Sequence, residues 1–158
     1  MTVEISYQEA AELYGKQGVV SAFYGKSGYA IAKTLKELKK GAMGLYTIQN
    51  AMNEFKPAYD RDFAILRNKN LKGEELEKES KKVFDKHQKY FDRSAEINYK
   101  IDETAKMIFS YESFEVKTTD MEEQIRNNMN VAQQVYLMDI GVIAEPVPPS
   151  AGLELVKP

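Results

Sequence analysis

Gly25-Lys26-Ser27 is the stretch of this 158-residue sequence whose residue types most suggest chemistry. Apolar residues precede it and a helix-forming segment follows, so VVSAFYGKSGYAIAKTL (19–35) has the outline of the end of a phosphate-binding loop. In such a loop, backbone amides wrap the phosphates and the lysine meets their terminal oxygens, because a helix N-terminus offers unpaired N–H groups. The first glycine of that motif belongs at position 20, which is Val20 here. No later apolar strand ending in Asp offers a magnesium ligand, and no alternation of strands and helices supports a parallel sheet. A turn carrying a solvated Lys26 is the better reading.

His87 is the only histidine, so any Ser–His catalysis would have to use it. It falls on an apolar seam between Val83 and Tyr90, and the residue three before it is Phe84 rather than Glu. The Glu-x-x-His pair of carboxylate-bridged metal bundles is therefore missing. With no cysteine in the chain, a zinc site is also short of ligands. His87 is expected to pack and to hydrogen-bond a neighbour, either Ser80 or a tyrosine, and its near-neutral titration makes such packing sensitive to pH. The carboxylates come as Asp60 with Asp62, Glu74–Glu75, Asp102–Glu103 and Glu122–Glu123. Adjacent acids on a helix face different ways, and a spacing of two turns a side chain by about 200°, so none forms a paired acid–base site. The expectation is of no catalytic residue, no cofactor and no metal ligand set.

The elements that would position these residues are mostly helical. From Glu75 to Ile108, Leu76, Ser80, Val83, His87, Tyr90, Ser94, Ile97, Ile101, Thr104 and Ile108 recur every three then four residues, the spacing of one helical stripe. A matching stripe runs Ile31, Leu35, Leu38, Ala42, Leu45, Ile48 or Gln49, Met52, Phe55 and Tyr59. Gly41 and Gly44 inside it each cost about 1 kcal/mol against Ala, which points to a close approach or a bend. Pro57 should kink or end the helix, because it cannot donate to the carbonyl of Asn53. The polar run 67–73 is the clearest turn and makes its flanking helices antiparallel neighbours. Ser6 with Glu9, and Thr119 with Glu122, have the spacing of capping boxes. The second box starts a last helix with Met121, Ile125, Met129, Ala132, Val135, Tyr136 and Met138 as its apolar positions, stopping at Ile140-Gly141. Within FSYESFEVKTT (109–119), Phe114 and Val116 alternate with charges, which reads as an extended segment with one buried face. It needs a pairing partner, and Thr2–Ile5 or Gly18–Phe23 can supply one.

The sequence therefore specifies a mainly α fold. A long antiparallel helical hairpin, over about 29–66 and 74–108, carries short flanking helices and one small β element. One helical domain is expected over 1–143, with a Pro-rich tail over 144–158 that is either free or docked on a partner. The hydrophobic share of 43% and charged share of 29% are those of an ordinary soluble domain. A net charge of -2 gives no overall attraction to nucleic acid or an anionic membrane. No apolar run approaches a membrane span and no signal peptide is indicated, so a cytoplasmic protein is expected.

Ten tyrosines and seven methionines are many for a small core to absorb. Tyrosine combines area with a polar tip at interfaces, and methionine adapts to irregular surfaces. Tyr24, Lys26, His87, Tyr90, Met129 and Tyr136 are the residues expected to face a protein partner, either another protein or a second copy of the chain.

YAIAKTLKELKK (29–40), the charged helical pair after it, FSYESFEV and the late helix ending LMDIGVI together resemble small bacteriophage proteins in the order of their elements, over roughly residues 7–143. Such proteins often lie among virion or tail-assembly genes. The resemblance implies a non-enzymatic phage protein acting by protein–protein binding in virion or tail assembly, its partner a phage structural protein or a host protein. An inhibitor of a host defence system or host enzyme is the alternative, and a nucleotide-binding enzyme using Gly25-Lys26-Ser27 is the third.

Overall fold

The structure, a computed structural model, describes residues 1–148. These form β1 (Thr2–Ser6), α1 (Tyr7–Gly15), α2 (Gly25–Asn50), α3 (Lys56–Asn68), α4 (Glu74–Lys86), α5 (Gln88–Lys106), β2 (Ile108–Glu112), α6 (Glu123–Asn128) and α7 (Val131–Asp139), linked by short 3-10 turns. The fold is mainly α with one small antiparallel sheet. From residue 149 onward the expected Pro-rich tail lies outside the described residues. No helix among them is long and apolar enough to cross a membrane. Two compact units divide the chain: Met1–Met43 together with the chain from Lys106, and Gly44–Ala105.

In the first unit, β1 pairs antiparallel with β2 in the register Thr2↔Glu112 to Ser6↔Ile108. Of the two expected partners, Thr2–Ile5 is the one used. The strand lies earlier than the Phe114–Val116 alternation suggested. Phe114 and Val116 follow it in irregular chain, where the Phe114 amide donates to buried Thr34 Oγ1 (2.9 Å) and the Val116 amide to the Val142 carbonyl (2.7 Å). Ser6 ends β1 and caps α1, its Oγ accepting the Glu9 amide at 3.0 Å. Val3, Ile5, Phe109 and Tyr111 turn one face of the sheet to a core built on Ala10, Ile31, Leu38, Tyr136, Leu137, Ile140 and Val142.

Gly41 explains itself here. A Cβ on it would stand 2.7 Å from the Phe109 ring and 3.0 Å from Ala10 Cβ, so α2 passes sheet and α1 where only hydrogen fits. The last helix is not continuous. It divides at Met129-Asn130 into α6 and α7, and the second capping box is Asn130 with Gln133 rather than Thr119 with Glu122. The Asn130 side chain accepts the Gln133 amide (2.8 Å), while Gln133 Oε1 accepts the Asn130 amide (3.0 Å). At the other end the expected stop holds. Gly141 adopts φ 84, and the amides of Gly141 and Val142 donate to Met138 and Leu137 carbonyls at 3.1 and 2.9 Å, a Schellman cap.

In the second unit, both expected hairpin arms exist but each is broken. α2 ends at Asn50, a 3-10 turn follows, and Pro57 sits in the first turn of α3, where its missing N–H costs nothing. The turn after α3 uses Asn70 and Gly73 at positive φ, and α4 starts with Glu74, Glu75 and Glu77 against its positive end. α3 and α4 pack as neighbours. The stripe from Leu76 to Ile108 is not one helix. α4 stops at Lys86, His87 leaves helical geometry (φ -105, ψ 24), α5 runs to Lys106, and Ile108 belongs to β2.

Replacing Gly41 by Ala would raise helix propensity, yet overpacking against Phe109 should dominate. Denaturant melts should show Gly41→Ala less stable by about 1–3 kcal/mol, with partial recovery on adding Phe109→Leu.

Candidate functional site

At the N-terminus of α2, the geometry of Gly25-Lys26-Ser27 is that of an anion site already filled from within the chain. Glu122 Oε1 accepts the Lys26 amide at 2.7 Å, and Glu122 Oε2 lies 3.1 Å from Ser27 Oγ, which also reaches the Tyr24 carbonyl at 2.9 Å. Its own amide and that of Lys26 hold the Glu122 carboxyl below its usual range, as expected for a negative charge at the positive end of a helix. Gly25 takes φ 64, and a Cβ there would collide with the Glu122 carboxylate. The Lys26 side chain remains exposed. The amide that a phosphate would take from this motif is given to Glu122.

Tyr24 stands nearby, 51% exposed, its hydroxyl donating to Gln124 Oε1 at 3.3 Å. With Ala22, Phe23, Ile125, Asn128 and Gln133 these side chains line a shallow depression of mixed polar and apolar character. Tyr24 and Lys26 are thus placed together at the surface of the first unit.

His87 and Tyr90 come together in the second unit. His87 Nε2 is 2.7 Å from Asp62 Oδ2 on α3, not bonded to Ser80, and Lys86 Nζ reaches the same oxygen at 2.8 Å. The break between α4 and α5 is what lets consecutive residues Lys86 and His87 meet one carboxylate. Around them, Tyr59 stacks on Tyr90 (4.6 Å between centroids), meets Phe91 and His87 edge-on (5.1 and 5.7 Å) and leans on Phe63 at 4.8 Å. Offset and edge-on pairs of this kind add about 0.5–1.5 kcal/mol each beyond area burial. His87 and Tyr90 are half-buried here, so their principal contacts are with their own unit.

Met129 and Tyr136, expected to face a partner, are instead core residues at 9% and 3% exposure. The Tyr136 hydroxyl donates to the Leu13 carbonyl at 2.7 Å, just as the Tyr111 hydroxyl donates to the Ile140 carbonyl at 2.9 Å. The reason is the break at Met129-Asn130, which resets the phase of the apolar pattern. On α7, Tyr136, Leu137 and Ile140 point to the core, and Val131, Val135 and Met138 lie on the opposite side, within about 60° of one another. These three are 76%, 49% and 38% exposed. They form an apolar stripe at helical spacing on an outward face. The apolar spacing alone puts Val135 and Met138 inside a longer helix and leaves out Val131. The Asn130-x-x-Gln133 spacing, itself a capping box, was the available signal.

Asp62 is held below its ordinary value of 3.8, first by its hydrogen bond from Lys86 and then by that from His87. A carboxyl lowered on folding stabilises the fold above its unfolded pKa and loses that contribution as pH falls through the folded value. The melting-temperature gap between the unaltered chain and Asp62→Asn should therefore be full at neutral pH and close progressively below 3.8.

At the alkaline end, burial above all pushes the Tyr111 and Tyr136 phenols up to about 12 from 10.0. A raised acid group stabilises the fold below its unfolded pKa, and that contribution disappears as pH climbs through the folded value. Thermal melts should show stability falling between pH 10.0 and about 12, with a shallower fall in Tyr136→Phe. At neutral pH the same variant should lose about 1 kcal/mol with its bond to Leu13.

No protein-family model, curated protein or solved structure matches this chain.

Proposed function

We propose that the chain is a non-enzymatic protein that binds another protein through the outer face of α7, and that it does so in assembling a bacteriophage virion or tail. The observation that carries the binding role is the stripe Val131, Val135 and Met138, apolar and exposed on the side of α7 away from its core contacts. Apolar side chains aligned on one helix face give a partner a continuous strip to cover, unlike singly scattered ones. The capping box at Asn130 and the Schellman cap at Gly141 fix both ends of that helix, so little ordering is left to be done on binding. Resemblance to small bacteriophage proteins in element order supports the assembly setting.

Val135→Glu is the discriminating variant. Its site is exposed, so stability should stay within about 0.5 kcal/mol of the unaltered chain. Purified tail or capsid particles of the encoding phage should carry the unaltered chain and not the variant. Particles that bind neither would remove assembly as the setting, and a one-to-one complex with a purified host enzyme, broken by the same variant, would put inhibition in its place.

A further inference from the structure

The two-stranded sheet has one edge suited to a second copy of itself. Hydrogen-bonded pairs alternate along an antiparallel ladder, and here they are fixed at both ends. Met1 and Ser113 exchange main-chain bonds at 3.2 and 2.9 Å, and the Tyr7 amide donates to the Met107 carbonyl at 3.0 Å. Counting inward by twos, Val3 with Tyr111 and Ile5 with Phe109 are the bonded pairs of the register. Thr2, Glu4 and Ser6 therefore turn their amides and carbonyls to one edge, and Ile108, Ser110 and Glu112 turn theirs to the other. In that register the amides at 108, 110 and 112 point away from β1, and among the described residues none of them bonds a backbone carbonyl outside the sheet. Their side chains are exposed, Ile108 at 71%, and Met107 beside them is 58% exposed.

The two edges differ in charge. A two-fold pairing of β1 with another β1 about its centre would set Glu4 against Glu4, and like charges directly opposite are destabilising. Pairing β1 of one copy with β2 of another is heterologous and leaves further edges open. The β2 edge avoids both difficulties. A two-fold pairing centred on Ser110 opposes Ser110 to Ser110, Phe109 to Tyr111 and Ile108 to Glu112, with no like charges opposed. It satisfies about six main-chain hydrogen bonds and turns two isolated ribbons into a four-stranded sheet, the size at which sheets stand on their own.

We propose that β2 is a homodimer interface, in which two copies join edge to edge, antiparallel, about Ser110. This surface is distinct from the α7 stripe and does not depend on it. The absence of cysteine from the chain makes a clean test. In the bonded pair at the centre, Cα atoms lie about 5.5 Å apart, within the range of about 4.4–6.8 Å that a disulfide spans. Light scattering of the unaltered chain should give twice the 18.0 kDa chain mass. Under mild oxidation Ser110→Cys should form a linked dimer in high yield, whereas Glu4→Cys on the opposite edge should not. Ser110→Pro, which deletes the central donor but no bond to β1, should give a monomer with unchanged circular dichroism. A monomeric mass for the unaltered chain, equal linking by the two cysteine variants, or a dimer that survives Ser110→Pro would each overturn the proposal.

Discussion

The pairing of β1 with β2 is the constraint on which the first unit rests. It joins the first residues of the chain to a strand about 100 residues later, and closure entropy grows by only about 0.6 kcal/mol for each doubling of the intervening length. In sequence the second unit is thus a tolerable insertion between the parts of the first. Much else hangs on that ladder. Phe109 presses on Gly41, Tyr111 reaches the Ile140 carbonyl from beneath the sheet, and Gly141 has room for no Cβ beside Ser113 and Val3. Remove the register, and the close passage of α2, the Tyr111 bond and the packing of Gly141 lose their counterparts together.

A second constraint is electrostatic. α2 is a 26-residue helix, and its unpaired N-terminal amides need an acceptor. Glu122, the residue preceding α6, supplies a carboxylate from about a hundred residues away, and the hydroxyl of wholly buried Ser27 donates to that same carboxylate. The same glycine, lysine and serine that suggest a phosphate loop are satisfied by the chain itself. Residue types at a helix start show that an anion is wanted there, and only the tertiary fold shows which one comes.

What could be read from the sequence follows the range of the interaction concerned. Local signals carried through: the Ser6 cap, the Pro57 break, the turn at 67–73 and the Gly141 stop each depend on neighbours within a few residues. The helical stripes showed the mainly α fold, and one of two candidate strands proved to be the partner of β2. Failures came where a distant residue decided. Glu122 looked like part of a cap for its own helix because Thr119 precedes it by three, yet it serves α2. His87 sat in phase with an unbroken seam, and nothing nearby shows that Asp62, 25 residues earlier, takes its ring and so coincides with a helix break. At Met129-Asn130 a local signal existed and was outweighed by apolar spacing, which put Met129 and Tyr136 on the wrong side of the surface.

The polar groups of the interior are consumed by the fold. Among the described residues no buried side-chain nitrogen or oxygen lacks a hydrogen-bond partner. Ser27 and Ser113 each bond a main-chain carbonyl, and Thr34 accepts the Phe114 amide. An unpaired buried group would cost about 1–3 kcal/mol, so this completeness is what stability demands. It also directs recognition outward, to groups whose bonding or burial is incomplete. Two such features stand out by their regularity: the apolar stripe of α7, which offers area without directional bonds, and the β2 edge, which offers directional bonds with little area. One suits a partner with its own complementary apolar surface, and the other suits a strand, and the two features share no residue.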